Sequence, residues 1–428
     1  MNRALPRRSA INCRNASRRC TTCSAAPRYF SRSSSGLQPN GQGQAVSYQG
    51  ESRTLQRTST LHRALQFSLL LLFTGCVPLA SAADERYQEI WQHATFYTSE
   101  QGPLRRIALS GRLQADASYF DADEGDFEDI NWRRFRFGFT AGFSNDWMAQ
   151  LEADFDLNES HHDWYSRLTD AYIGWQPDKA RDLRLLKHSA GFTLDGATSS
   201  KKLLTLQRNN LTNNLWFTAE YFTGASIKGA LDNNWTYRVG VFSSDGNDEF
   251  SKFDAGIFTL TSAGYDFAQA LGIDRALVRL DYVYNERDEN ANTRDLSNVT
   301  TLSAQWEDGD WGLWTDLGSG RGYMGQSDIS GVTIMPFYNV SELVQLVVRY
   351  TYIDSDEANG VRLGRYENEI VDGRGDQYDE LYLGFNLFFY GHKLKLQSGL
   401  QFAELKDRAG DGGRYRGWGI GTGLRISW

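Results

Sequence analysis

Residues 420–428 alternate without a break: Ile420, Thr422, Leu424, Ile426 and Trp428 fall on one face of an extended chain, and Gly421, Gly423, Arg425 and Ser427 on the other. Successive side chains of a β-strand point to opposite sides, so this segment has one apolar face, one small or polar face, and a terminal aromatic. A transmembrane β-barrel needs such a last strand, with lipid outside and water inside. One segment therefore points to an all-β membrane fold.

Composition is consistent with that fold. Aromatic residues make up 13% of the chain, with 12 Trp, 21 Tyr and 24 Phe, yet mean hydropathy is only −0.51. A water-filled barrel reconciles the two facts, because alternate residues face water while aromatics collect at the membrane interfaces. A water-soluble β-protein is the main competitor.

The N-terminal region differs from the rest. Residues 1–60 are rich in Arg, Ser and Gly, with Glu51 the only acid, and read as disordered. They are either a long targeting extension or translation from a misassigned start; the second is favoured, with Leu61 as a candidate non-AUG start. The run 65–80 is apolar, preceded by His62 and Arg63 and followed by Ala80-Ser81-Ala82, so residues 61–82 read as a secretory signal cleaved after Ala82. At about sixteen residues the run is short of the roughly twenty a membrane-spanning helix needs. A lipoprotein site at Thr74-Gly75-Cys76 is disfavoured by Phe73 before it and by the Ala-x-Ala just beyond. All four cysteines, Cys13, Cys20, Cys23 and Cys76, precede the cleavage site, which leaves the mature chain without disulfide or thiol chemistry. Cleavage also removes eleven arginines and one glutamate, leaving 34 basic against 52 acidic side chains, a net charge of −18. Such a charge argues against a nucleic-acid partner. Any preference for anions must come from where the positive charges sit.

After a short segment, 83–104, period-two alternation recurs along 105–428. We place strands near 105–120, 131–144, 146–157, 167–177, 181–188, 217–230, 234–243, 252–264, 275–286, 297–307, 310–318, 327–337, 341–354, 377–389, 391–404 and 415–428. Sixteen is an even number within the range for bacterial outer-membrane barrels, which alternate short periplasmic turns with longer external loops. The connections follow that rule. Tight turns fall at Ser144-Asn145-Asp146, Gln176-Pro177-Asp178, Asp232-Asn233-Asn234, Glu307-Asp308-Gly309-Asp310, Tyr338-Asn339 and Tyr390-Gly391-His392. Longer connections lie between them, at 121–130, 158–166, 189–216, 244–251, 287–296, 319–326, 355–376 and 405–414. One turn, 265–274, is longer than the rule predicts.

Parity assigns the faces. Leu394, Leu396, Leu400 and Phe402 face lipid, which puts Lys393, Lys395, Gln397 and Gln401 in the lumen. Leu381, Leu383, Phe385, Leu387 and Phe389 face out and Tyr382 and Asn386 face in. Phe135, Phe137, Phe139 and Phe143 face out, with Arg134 and Arg136 inward. Trp147, Leu151, Phe155 and Leu157 face out, with Glu152, Asp154 and Asp156 inward. The wall therefore carries both signs. Arg133 falls on the lipid-facing register, either at the rim or against lipopolysaccharide phosphates.

The longest connection without strand character is 189–216, the third external loop by parity. It interleaves Phe192, Leu194, Leu203, Leu204, Leu206 and Leu211 with hydroxyls and bases, which a loop exposed to water throughout would not do. Such a loop packs against something, and the barrel's inner wall is the available partner.

Three motifs then become specific: Gly111-Arg112-Leu113-Gln114-Ala115-Asp116 on the first strand, Trp132-Arg133-Arg134 opening the second, and Thr198-Ser199-Ser200-Lys201 followed by Arg208 in the loop. Together they resemble the phosphate-selective porin O/P family of Gram-negative outer membranes. The resemblance covers the first half of the mature chain and the terminal strand; between about 230 and 375 only the general porin pattern is visible. It implies a homotrimer of sixteen-stranded antiparallel barrels, each with its third external loop folded into the lumen as a constriction. It also implies an anion site lined by Arg112, Arg134, Ser199, Ser200 and Arg208, with Lys201 beside them and Asp170 nearby on the fourth strand. The chemistry is coherent, since guanidinium forks match phosphate oxygens and hydroxyls add donors without charge. Two departures stand out: Gly196 and Met148 occupy positions where the family has lysines. Asp195 also lies in the loop, and together these weaken the anion well.

Other patterns have plainer readings. His161-His162-Asp163 is a solvated loop rather than a metal seed, and no histidine pairs with a nucleophile motif. The row Glu152, Asp154 and Asp156 offers oxygen ligands for Ca²⁺ but reads as a hydrated lumen face. The resemblance thus implies a passive outer-membrane channel for phosphate or other small anions, in contact with lipid and lipopolysaccharide, with no cofactor, metal or catalysis. The alternatives are a general, polyphosphate- or sugar-type diffusion porin of weak charge selectivity, and a barrel enzyme or adhesin.

Overall fold

The computed structural model describes residues 80–217, 220–246 and 248–428. The extension 1–60, the four cysteines and all but the last three residues of the predicted signal segment lie outside the described residues. Among those described, sixteen antiparallel strands run in chain order: β1 Leu104–Ala122, β2 Gly125–Phe143, β3 Trp147–Phe155, β4 Tyr165–Asp178, β5 Arg181–Ser189, β6 Tyr221–Ala230, β7 Trp235–Ser243, β8 Ile257–Asp266, β9 Arg275–Asn285, β10 Leu296–Asp308, β11 Trp311–Gly322, β12 Ile329–Asn339, β13 Val344–Ser355, β14 Gln377–Tyr390, β15 Leu394–Lys406 and β16 Tyr415–Ser427. Each pairs with the next, and β16 pairs with β1 from Gly417↔Ala122 to Ser427↔Arg112, so the sheet closes on itself. Closure leaves no free edge, which is what a sheet in hydrocarbon requires.

All sixteen expected strands are present, and one expected loop is not. The stretch 121–130 is continuous hairpin, with Asp121 opposite Asp126 and a turn of only Asp123 and Glu124. Its acids resemble a loop because the usual polarity is reversed there: Asp126 and Glu128 are exposed on the outward face, while Phe120 and Ala122 are buried inward and Phe127 stacks on Tyr366. The short segment before the first strand holds a helix, α1 Ala80–Gln92, and a short strand, Thr95–Thr98, that pairs with β1 where β1 extends past β16. The overlong turn 265–274 contains helix Ala268–Leu271, closed by Gly272 in a left-handed C-cap at φ +69°. No described helix is long and apolar enough to cross a membrane.

Burial is inverted relative to a soluble protein. Phe137, Phe139, Leu151, Leu381 and Leu383 are exposed on the outer face, while Arg136, Glu152, Tyr382 and Asn386 are buried. Inward groups are covered chiefly by the connection between β5 and β6. This segment contains two short helices, α2 Leu194–Ala197 and α3 Asn210–Leu215. Its polar backbone is met by wall side chains: Asp281 on β9 accepts from Thr193 N at 3.0 Å and Asp316 on β11 from Leu194 N at 2.7 Å. Lys395 on β15 donates to the Leu203 carbonyl at 2.6 Å and Arg425 on β16 to that of Leu206 at 3.2 Å. Its apolar residues Phe192, Leu211, Leu215, Trp216 and Phe217 join Phe222, Phe242, Phe258, Leu260 and Ile353 of the wall in one buried cluster. Each large apolar side chain so buried contributes roughly 1.5–3 kcal/mol. Wall glycines make the seats. A Cβ on Gly318 would lie 2.3 Å from Leu215, and one on Gly421 or Gly423 would lie 2.3 or 2.6 Å from Leu206.

Candidate functional site

The first-strand motif has one inward residue in two, and each of these reaches the loop. Arg112 donates to Ser200 Oγ at 2.6 Å, Gln114 to the Ser200 carbonyl at 3.2 Å, and Asp116 accepts from Gln207 Nε2 at 2.7 Å. Arg112 also forms a buried ion pair with Glu152 on β3 at 3.1 Å, and Glu152 accepts from Ser110 at 2.7 Å. The cation is therefore compensated before any solute arrives.

Arg134 is different. Its guanidinium donates to Gln114 Oε1 at 2.9 Å and, among the described residues, has no carboxylate partner. Beside it stands Arg133, which donates to Gln207 Oε1 at 3.2 Å. The sequence placed Arg133 on the lipid-facing register; the structure corrects this. A β-bulge separates the pairs Gln114↔Arg134 and Ala115↔Trp132, so Arg133 is the extra residue and turns inward with its neighbour. The signal lay in the sequence: Trp132 and Phe135 both face outward yet stand three apart, which strict alternation forbids.

Arg208 lies over the Trp216 ring, 4.6 Å from its centroid, donates to the carbonyls of Asp195 and Thr198 at 2.9 and 3.2 Å, and meets Glu220 at 3.4 Å. Burial opposes ionisation of Glu220, but Arg208, Arg136 and Arg134 outweigh it and hold the carboxyl well below its usual range. Arg133, Arg134 and Arg208 line a cavity of about 150 Å³ with Arg294 and Arg365, and Glu220 is its only carboxylate. Arg294 and Arg365 come from the connections after β9 and β13, where the sequence offered nothing beyond polar loops. Arg294 donates to the carbonyls of Trp216 and Asn213 at 3.3 and 2.7 Å. Burial and the nearby Arg362 and Arg374 push its guanidinium down to about 9, the mark of a cluster short of negative charge.

The remaining expected residues divide. Ser200 is buried on Arg112, whereas Ser199 is exposed and its hydroxyl accepts from Lys201 N at 3.4 Å. Lys201 donates to the Trp428 carbonyl at 2.9 Å, and burial together with Arg112 pushes its ammonium down to about 8. Asp170 on β4 lies in the field of Glu152, Arg184, Arg112 and Arg136, away from the arginine-lined cavity. Asp195 is a loop-internal acceptor for Asn209 N and Nδ2, at 2.9 and 2.8 Å. Gly196 is tightly enclosed: an added Cβ would lie 2.7 Å from Thr193 Oγ1 and 3.2 Å from the Trp216 ring. No group of three potential metal ligands occurs among the described residues.

A closed sixteen-stranded barrel, apolar outside and polar within, with a charged internal site, is an outer-membrane porin. The family model for phosphate-selective porin O and P matches residues 107–329, more than half of the chain, and the protein belongs to that family. Among solved structures it is similar to the anion-selective porin from Comamonas acidovorans (12% identity, TM-score 0.51, covering 75% of this chain and 99% of that one). It is also similar to Salmonella typhi OmpF in complex with daunomycin (10%, 0.55, 78% and 100%) and Pseudomonas putida OprB at high pH (12%, 0.53, 75% and 94%). At these identities the likeness is one of fold. No curated protein matches the sequence.

Proposed function

We propose that this porin conducts small anions, with phosphate preferred, by passive diffusion through a passage narrowed by the β5–β6 loop. The observation that carries the reading is the cavity lined by Arg133, Arg134, Arg208, Arg294 and Arg365 against a single carboxylate, Glu220. Five guanidinium groups present forked donors suited to tetrahedral oxyanions. Arg133, Arg134 and Arg294 are held by neutral carbonyls and amides, and of the five only Arg208 is paired with the Glu220 carboxylate, so the cluster keeps net positive charge for a passing ion. The compensated pair Arg112–Glu152 limits the depth of the well, which helps release as much as capture. The family resemblance further supports a homotrimer, exported by the signal segment, with its outer face in lipid and lipopolysaccharide. Nothing in this mechanism calls for a cofactor or a catalytic group.

The test is the reversal potential of the purified protein in a planar bilayer under a KCl gradient, with and without phosphate, for wild type and Arg208→Ala. We expect a Cl⁻-side potential and partial block by phosphate, with block weakened roughly tenfold or more in the variant, since a hydrogen bond to a charged group contributes about 1.5–3 kcal/mol. Cation-side reversal without a phosphate effect refutes the anion reading and leaves the barrel intact. A weakly selective diffusion porin is the second reading, favoured by the ion pairs of Arg112 with Glu152 and of Arg136 with Asp154.

A further inference from the structure

The β5–β6 loop is not the only connection that meets the inner wall. The segment between β13 and β14, residues 356–376, carries a two-residue hairpin, Val361–Arg362 with Arg374–Gly375, and a short 3-10 turn, Glu367–Glu369. Its residues Val361, Leu363, Tyr366, Glu367 and Val371 are buried, although the segment only connects two adjacent wall strands. Two sets of contacts hold it. Asn210 and Asn214 of the β5–β6 loop donate to the Arg362 carbonyl at 2.8 and 3.1 Å, and Arg362 N donates back to Asn214 Oδ1 at 2.8 Å.

The second set ties it to the wall. Tyr366 donates to Asp116 of β1 at 2.6 Å, and Asp116 also receives Arg425 of β16 and Gln207 of the β5–β6 loop. Glu367 accepts from Tyr378 of β14 at 2.8 Å, from Gly364 N at 2.7 Å and from Gln401 of β15. The residue between these anchors and the hairpin, Arg365, lines the arginine cavity.

We propose that residues 356–376 form a second constriction loop, latched to the barrel wall through Tyr366 and Glu367, which narrows the outer approach to the anion site and places Arg365 in it. The proposal rests on the porin reading above and extends it to a segment outside the residues matched by the family model. Release of the latch widens the passage and withdraws one of the five arginines, so size limit and anion preference change together.

The latch is also poised to respond to pH. Glu367 faces Glu380 and Tyr378 on β14, Gln401 on β15, Tyr415 on β16, and Tyr366 on its own segment; Arg349 on β13 is engaged by Glu380 at 2.7 Å rather than by Glu367. Burial and the Glu380 carboxylate push Glu367 up to about 7. A carboxyl raised in the latched state stabilises it fully below the ordinary carboxylate range, and that stabilisation is lost as pH rises through about 7.

The test uses the exported protein, residues 83–428, in outer membranes and in bilayers. The mature chain has no cysteine of its own, so Leu363→Cys reports the latch directly. Its labelling by an external membrane-impermeant maleimide should be slow alone and about tenfold faster with Tyr366→Phe and Glu367→Ala added, the factor that 1.4 kcal/mol of lost latch stability gives. The same double variant should pass larger uncharged sugars in liposome swelling and show higher single-channel conductance, whereas Arg208→Ala should change anion preference without changing the size limit. Raising pH from about 6 to about 8 should speed labelling of Leu363→Cys, and not when Glu367→Gln is present. Unchanged labelling, size limit and conductance in the double variant overturn the latch, while the Arg208→Ala result separately decides the anion reading.

Discussion

Arg112 and Glu152 form a buried ion pair 3.1 Å apart, joining β1 to β3 beside Ser200 of the β5–β6 loop. The pair cancels at short range a positive charge that would otherwise face the solute. In Glu152→Gln the amide keeps an acceptor for Ser110 or Arg112 but removes the negative charge. We expect a shift of the zero-current potential toward Cl⁻ and longer phosphate dwell times in bilayer recordings. Breaking a buried pair costs about 3–5 kcal/mol, so the variant should also unfold at lower temperature in detergent. An unchanged zero-current potential would show that Arg112 does not reach the permeating ion.

Arg133 gives a second prediction, because its position depends on a single extra residue. If the bulge between Trp132 and Arg134 turns it inward, Arg133→Ala should lower Cl⁻ conductance and weaken phosphate block without affecting membrane insertion. A side chain on the lipid face would give the opposite pair of results: normal conductance and easier insertion, since a lipid-facing Arg costs up to roughly 2–4 kcal/mol at the midplane. Conductance and folding yield measured together separate the two positions.

These two residues also mark how much the sequence could tell. Strand number, closure and facing were legible because lipid enforces alternation at every membrane-level position, and the positions of Leu381, Leu383, Lys395 and Asn386 agree with parity. Parity failed where its premise did. Between Asp121 and Asp129, the acids Asp126 and Glu128 face outward and the apolar side chains Ala122 and Phe127 inward, so a hairpin looked like a loop; at Arg133 a bulge shifted the phase. The inward glycines of β16 were visible at once, but their use as seats for Leu206 depends on a loop more than two hundred residues away. Arg294 and Arg365 were illegible for the same reason: they meet at the cavity only through long-range contacts that no local pattern encodes.

The two positions where the resemblance implies lysines, Met148 and Gly196, are not equivalent. Met148 lies on the inward register of β3, opposite Gly174, next to whose backbone its side chain packs. Replacing it with a flexible lysine should be tolerated, and Met148→Lys should strengthen phosphate block. Gly196 is closed in by Thr193 and Trp216, so Gly196→Lys should overpack the loop, at about 1–3 kcal/mol, and displace Trp216 from Arg208. We expect that variant to lose phosphate block despite its added charge. The comparison is made by phosphate titration of single-channel Cl⁻ current.

Leu215 connects packing to conduction. It is fully buried on the glycines of β11, close to Gly318 and Gly320. Leu215→Ala should cost about 2–5 kcal/mol of local packing, borne by the loop rather than by the barrel, whose ladder is unaffected. Current noise and mean conductance should rise while the barrel's own unfolding temperature changes little. Quiet, wild-type traces would mean that polar anchors such as Asp281 and Asp316 hold the loop on their own.

Lys201 carries the clearest pH signature in the β5–β6 loop. Burial and the Arg112 charge push its ammonium down to about 8, so its positive charge is present below that pH and is lost as pH rises through it. Anion preference should therefore fall between about pH 7 and about pH 9, seen as a drift of the reversal potential toward zero. Docking of the loop should change in the other direction. A lysine whose pKa is depressed when docked releases its proton more readily there than when free, so docking gains stability as pH rises from about 8 toward the ordinary lysine value of about 10.4. In Lys201→Arg the guanidinium stays charged throughout, and the reversal potential should hold flat over the same range. A drift that persists in Lys201→Arg would place the titrating group elsewhere.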